Sequence, residues 1–372
     1  MMLLDNNQKA FLELIKAGLW EKDVLLSQFN KIDYEDVYRL AVEQSVVGLV
    51  AAGLEHVTDV KVPKEDVLQH AGQALQLEQR NKVMNAFISS LIEKLRGADI
   101  YSLLLKGQGV AQCYERPLWR ASGDVDLLLS EGYYLKAKDL LTPLANSVEN
   151  ENKYTQHIGM TFGSIEVELH GNLRSELYSR IDKELDKVKD EIFYGGNVRS
   201  WLNDKTQVFL PGINCDVAYV FTHILQHFFK GGIGLRQICD WCRLLWTYKD
   251  VIDRKQLEDC LKNMGLISEW KAFGALAVST LGMPVEAMPF YSDCNKWKKK
   301  AKRLLAFVLE TGNFGHNRDM SYRNEESAIS RKSKTFFHIT SDTIKQITIF
   351  PLDSLRVWCR IMGVGLRGLF VR

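Results

Sequence analysis

Two aspartates stand two residues apart at the start of an apolar run, in the segment "ASGDVDLLLS" from Ala121 to Ser130. On a strand, side chains at i and i+2 lie on one face, so Asp124 and Asp126 point the same way. Adjacent carboxylates repel and raise each other's pKa. A divalent cation between them removes that cost, and Mg²⁺ in phosphoryl-transfer sites is commonly held by one or two carboxylates plus the substrate's phosphates. Alone, an Asp-x-Asp pair is more often a strand edge facing water, so its neighbours decide the reading.

One neighbour is "SIEVELHG". Glu166, Glu168 and His170 alternate with Ile165, Val167 and Leu169, giving a strand with one polar and one apolar face. The polar face is either solvated or supplies a third carboxylate, and three carboxylates on neighbouring strands can hold two metal ions for in-line phosphoryl transfer. The other neighbour is the corner "YSLLLKG". There a buried strand leads into a helix at Gly107, whose first backbone N–H groups suit a phosphate. Lys106 stands at the same corner, and Gln108-Gly109 keeps the turn small; in isolation this too is a plain turn. Arg120, four residues before Asp124, is either a bidentate brace for a triphosphate or a surface arginine.

These pieces need an α/β island to position them. Residues 6 to about 96 carry helical periodicity almost throughout, "YEDVYRLAVEQSVVGLVAAGL" included. Near Gly97 the pattern changes to short strands. "HIGMTFG" and "SIEVELHGNL" form a hairpin across Gly163-Ser164. From about Asp182 helices return, broken by a loop through "LPGINC", and continue to Arg372 apart from an exposed polar segment at 312–335. The expected organisation is an N-terminal helical region (1–96), a core carrying the chemistry (97–210) and a C-terminal helical domain (211–372).

"LLLKGQGVAQCYERPLWRASGDVDLLL" followed by "IEVELH" resembles the nucleotidyltransferases of the DNA polymerase beta superfamily, and more closely a bacterial group of uncharacterised nucleotidyltransferases. "GGIGLRQICDW" is similar to that group's helical-domain motif, and the resemblance runs over roughly residues 80 to 246. It implies an α+β fold, a polymerase-beta-like nucleotidyltransferase core of small mixed sheet and helices, flanked by helical regions. It further implies Asp124, Asp126 and Glu168 as catalytic metal ligands for Mg²⁺, in a two-metal site that Mn²⁺ also fits. Lys106, Gly107, Gln108 and Arg120 would bind the NTP. His170 would face substrate, and Arg236 and Asp240 would reach it, since the helical domain of related enzymes closes over the cleft. The chain departs from the superfamily in having Gly107-Gln108 where Gly-Ser or Gly-Gly is usual, a longer span from that corner to Asp124, and Glu in place of Asp as third acid.

Other features narrow the function. Lys and Arg number 48 against 46 Asp and Glu, a net charge of +2, which gives no bulk footprint for nucleic acid. The expected acceptor is therefore a hydroxyl of a small molecule, a sugar or a protein. The N-terminus lacks a basic n-region and cleavage site, no run of 18 apolar residues occurs, and the 7 scattered cysteines read as reduced thiols. A cytoplasmic protein is expected. His223 and His227 lack the glutamate of an HExxH site and read as a partly buried pair. The "CDWC" of Cys239 to Cys242 reads as structural. Arg236 and Asp240 have the spacing of an ordinary helix pair. Near the C-terminus, Arg356, Arg360 and Arg367 share a stripe beside Trp358, Ile361, Leu369 and Phe370. That basic amphipathic helix suits core or partner packing, with peripheral membrane contact as the other use. A nucleotidyltransferase fold kept only to bind a nucleotide or protein is the rival to the enzyme.

Overall fold

The computed structural model describes residues 4–317 and 328–370. Four helices come first: α1 (Asn6–Trp20), α2 (Tyr34–Glu43), α3 (Val47–Glu55) and the 33-residue α4 (Lys64–Arg96). Asp5 caps α1 by accepting from the Gln8 N–H at 2.8 Å, and Asp33 caps α2 by accepting from Glu35, the role short acidic side chains serve at helix starts. The helical periodicity expected across residues 34–54 is carried by two helices. The break at Ser45, with φ of 55°, is stabilised from outside the segment. The buried Gln44 amide donates to Val308 O and accepts from Leu235 N at 3.0 Å, so a tertiary bond outweighs local propensity.

Seven strands follow: β1 (Ser102–Leu105), β2 (Asp124–Leu129), β3 (Ser147–Val148), β4 (His157–Phe162), β5 (Ile165–His170), β6 (Val198–Asn203) and β7 (Thr206–Pro211). They form one mixed sheet in the order β3-β4-β5-β2-β1-β7-β6. β2 runs parallel to β5, and β1 parallel to β7; the remaining neighbours are antiparallel. Between strands lie the short α5 (Gly107–Ala111), α6 (Glu131–Leu141) and α7 (Ser179–Phe193). The return to helix expected from Asp182 thus lasts only to Phe193. The β6–β7 hairpin shows alternating burial at Thr206, Val208 and Leu210, and its turn places Asp204 at φ of 54°, a conformation Asp tolerates.

The C-terminal part comprises α8 (Ile213–Lys230), α9 (Leu235–Thr247), α10 (Arg254–Met264), α11 (Ile267–Leu281), α12 (Asn295–Thr311), α13 (Ala328–Ile347) and α14 (Pro351–Phe370). The exposed polar segment expected at 312–335 is corrected at its start. Asn313 and Gly315 are buried, with Asn313 bonded to Gln237 and Ser45; residues 318–327 lie outside the described residues. On α14, Arg360 turns inward to Asp182 at 3.3 Å, and Trp358 donates to Thr340 at 3.2 Å, which favours packing against the body. The side chains of Arg367, Leu369 and Phe370 lie outside the described residues. No described helix is long and apolar enough to cross a membrane. Cys239 and Cys242 are buried within α9, and burial pushes both thiols well up.

The sheet separates two apolar clusters. Leu104, Val125, Leu127, Val167 and Leu169 face Ile88, Leu91 and Leu95 of α4 and Tyr134 of α6. Leu103, Leu105 and Leu128 face the larger cluster, which the N-terminal helices share with α8, α9 and α11. Strand alternation therefore puts Asp124 and Asp126, in phase with Leu128, on the side of the C-terminal helices.

His70 on α4 is buried against the Tyr38 ring, 5.2 Å between centroids, and neither of its nitrogens has a partner among the described residues. Burial lowers its pKa from 6.5 to about 4. The folded state keeps the neutral ring, so stability is lost as pH falls from 6.5 to about 4 and levels off below. The span corresponds to roughly 3 kcal/mol. Denaturant melts of wild type and His70→Phe between pH 7 and 4 test this: the wild type is expected to lose that much more than the variant.

Candidate active site

Parallel pairing of β2 with β5 sets Asp124 opposite Glu166 and Asp126 opposite Glu168. On the other side of β2, Leu105 lies opposite Asp126, so the next residue, Lys106, arrives at the mouth of the same strand. Its ammonium lies 3.0 Å from Asp126 Oδ1 and 3.4 Å from His223 Nε2. His170 Nε2 approaches the same Asp126 oxygen at 2.9 Å, while Glu168 Oε2 lies 3.0 Å from His157 Nε2 and 3.4 Å from His170 Nε2. Glu166 is exposed and stands apart from this cluster.

Asp124, Asp126 and Glu168 each offer an oxygen within 4.8 Å of the others. Asp126 is 1% exposed, and its Oδ2 has no partner among the described residues. The Asp126 charge, followed by burial, raises the Asp124 carboxyl above its ordinary range. An orphaned buried oxygen and a mutually repelling pair are what a divalent cation would relieve, so the donor set fits the metal expected from the sequence. Glu168 differs: burial opposes its charge, but bonds from His157 and His170 outweigh this and hold its pKa well below the usual range. Burial likewise opposes charge on His170, and Asp126 with Glu168 outweighs it. Lys106 remains charged by the same balance, with Asp126 as its main support.

The corner that delivers Lys106 is bent. Lys106 has φ of 47° and ψ of −137°, and Gly107 has φ of 40°. A non-glycine residue held outside the favoured regions costs on the order of 1–3 kcal/mol. Lys106→Gly is therefore expected to be more stable than Lys106→Ala by roughly 1–2 kcal/mol, the reverse of the usual order for an extended or helical residue. Both variants lose the ammonium, so comparing their denaturant midpoints isolates the backbone contribution; equal midpoints would show an unstrained corner.

Three residues assigned to nucleotide or substrate by sequence are committed elsewhere. Gln108 turns away from the cleft and donates to Asn81 Oδ1 on α4 at 2.8 Å. Arg120 is occupied by Asp240, through Nε at 2.9 Å and Nη2 at 2.6 Å, and by Ser122 Oγ. Its bidentate face is thus filled by protein. Asp240 also accepts from the Tyr114 hydroxyl, so the helix pair expected between Arg236 and Asp240 gives way to these partners. Arg236 instead donates to Ala121 O at 2.9 Å, while its Nε has no partner among the described residues. It lines a recess of about 40 Å³ with Lys106, Asp124 and Asp126, which makes it the guanidinium with donor capacity beside the aspartates.

On the other side of Asp124 opens a cavity of about 290 Å³, lined by Glu168, His170, Asn172, Tyr219, Gln226 and His227 among others. His223 and His227, one turn apart on α8, face it with their Nε2 atoms 2.9 Å apart. Burial, followed by the Lys106 charge, lowers both, His227 to about 3, so both rings are neutral. Sequence reasoning treated this pair only as partly buried and did not single out His157. Yet the Gly163-Ser164 turn sets Phe162 opposite Ile165 and hence His157 opposite His170. That register was available from the hairpin alone.

A family model described as "Uncharacterised nucleotidyltransferase" matches residues 30–282. No curated protein and no solved structure matches.

Proposed function

Because the chain belongs to this family of uncharacterised nucleotidyltransferases, we propose that it moves a nucleoside monophosphate from an NTP to a hydroxyl of a small molecule, sugar or protein. The observation that carries the reading is the meeting of three carboxylates from paired strands, one of which, Asp126, has a buried Oδ2 with no partner among the described residues. Asp124, Asp126 and Glu168 would hold Mg²⁺, which when bound supplies charge neutralisation at the phosphates. The mixed sheet is read as a polymerase-beta-like core.

In this reading the acceptor hydroxyl loses its proton to water in the cleft, and its oxygen forms a bond to the α-phosphorus as the bond to the bridging oxygen of the β-phosphate breaks, releasing pyrophosphate. Lys106 and Arg236 provide fixed positive charge in the recess they share with Asp124, where the phosphates would lie. Glu168, held ionised by two imidazoles, serves better as a ligand than as a proton acceptor. Gln226 in the larger cavity supplies a neutral hydrogen-bonding group suited to a hydroxylated acceptor, whereas Asn172 and Ser175 there are committed to Tyr154, Arg174, Asp182 and Leu177. Two observations favour the rival of a non-catalytic binding module. The Lys106 ammonium already neutralises Asp126, and the corner lacks the usual serine.

Titration with each of the four NTPs, with and without Mg²⁺, separates the two. The enzyme reading expects tight binding that requires metal and is lost in Asp124→Ala/Asp126→Ala. Binding indifferent to metal and to these aspartates would support the module, and no binding of any NTP would overturn the reading.

A further inference from the structure

Glu168 belongs to two donor clusters. Besides the carboxylates, His157 and His170 bring their ring nitrogens to it, all three ligand atoms lying within 4.8 Å of one another. The separations are 3.0 Å from Glu168 Oε2 to His157 Nε2 and 3.4 Å to His170 Nε2. Donors bound at about 2.0–2.1 Å to one tetrahedral ion sit roughly 3.3 Å apart, so Glu168 already stands at ligand spacing from both imidazoles. The backbone fixes this: His157 and His170 are direct cross-strand partners on β4 and β5, and Glu168 follows on the same face. Their ring centroids are 4.8 Å apart. All three line the 290 Å³ cavity, which leaves a fourth position for water or a substrate oxygen, as three-ligand catalytic sites do.

We propose that His157, His170 and Glu168 form a second metal site that takes a borderline first-row ion of the Zn²⁺ or Co²⁺ type, beside an oxygen-only site at Asp124, Asp126 and Glu168. Imidazole nitrogens suit such ions, whereas Mg²⁺ prefers oxygen and keeps its waters. The two sites share Glu168. The proposal rests on the nucleotidyl-transfer reading only for the oxygen-lined neighbour; the histidine site stands on its own ligands.

The full chain, stripped of metal with a chelator, is titrated with Co²⁺ in excess Mg²⁺ while its visible absorption is followed. One Co²⁺ per chain is expected to bind with the intense bands of a low-coordinate nitrogen-ligated ion. His157→Ala should weaken it by at least the roughly 10–100-fold that loss of even an outer-shell partner costs. Asp124→Asn should retain it. His170→Gln provides the same test should His157→Ala fail to give a cooperative melt. Co²⁺ that excess Mg²⁺ displaces, or whose binding ignores both histidine variants, overturns the proposal. A parallel Mg²⁺–NTP titration keeps the readings apart: Co²⁺ binding without NTP binding overturns the nucleotidyl-transfer reading alone, and the converse overturns the histidine site alone.

Discussion

Asp126→Asn is expected to abolish metal-dependent nucleotidyl transfer and to destabilise the protein, whereas Asp124→Asn should abolish transfer while raising the melting temperature of the metal-free chain. The two residues differ in their partners. Asp126 neutralises Lys106 and His170 at 3.0 and 2.9 Å, and removing one member of a buried ion pair typically costs about 3–5 kcal/mol. Asp124 has the Asp126 charge as its dominant influence, which raises its pKa. Its ionised form is therefore disfavoured by folding, and an amide relieves that repulsion. The sign has a pH signature. The repulsion exists only while Asp124 is ionised, so the advantage of Asp124→Asn should shrink as pH falls through the folded pKa and the wild type takes up a proton. For transfer, each loss is expected to reach at least about 10²–10³-fold, the range for removing one preorganised electrostatic contact. Added Mg²⁺ should raise the wild-type melting temperature, by about 2.7 kcal/mol of stability at a hundred times Kd, and leave both variants unmoved. Equal behaviour of the two variants would mean that Asp124 and Asp126 are interchangeable, against the asymmetry of their contacts.

Such a gain on losing a side chain is a sign of residues placed for function against local stability, and that tension is why the site was readable in sequence. Like charges at alternate positions of a buried strand, and Glu168 with His170 on the polar face of another, are patterns that strand periodicity alone cannot justify. The hairpin across Gly163 was also written in local turn chemistry, and the end of α4 near Gly97 in the loss of helical periodicity. What escaped depends on partners far along the chain. Ser45 interrupts a helical pattern because Gln44 bonds to residues 191 and 264 positions away. Gln108 is drawn from the cleft by Asn81, and Arg120 by Asp240. Nothing in the spacing of those residues distinguishes a guanidinium that meets phosphate from one that meets a buried carboxylate. His223 and His227 became cleft residues only because the fold brings His223 on α8 within 3.4 Å of Lys106 at the end of β1.

The Arg120–Asp240 pair carries the second large effect. Asp240→Ala is expected to cost about 3–5 kcal/mol, because it strands a buried guanidinium. The side chains are only 6% and 8% exposed, and Ser122 would be Arg120's remaining side-chain partner. Tyr114 would also lose its acceptor. Replacing both members, as Arg120→Met/Asp240→Leu, should restore most of the loss, since well-packed apolar substitutes for a buried pair are often neutral or stabilising. Activity should not recover with stability. The backbone from Leu118 to Ala121 leads directly into Asp124, and it is pinned by Asn81 to Leu118 O and Arg120 O and by Arg236 to Ala121 O. The Arg120 side chain adds the bond to Ser122 and the tie to α9. Without that tie the aspartates' approach to Glu168 loosens, and a displacement of about 1 Å can cost on the order of 10²-fold in rate. The expected pattern in the double variant is near-native melting with transfer reduced mainly in kcat. Recovery of both would reduce the pair to a packing element, and an Asp240→Ala variant that melts like wild type would show that Arg120 finds water or another partner when its carboxylate is gone.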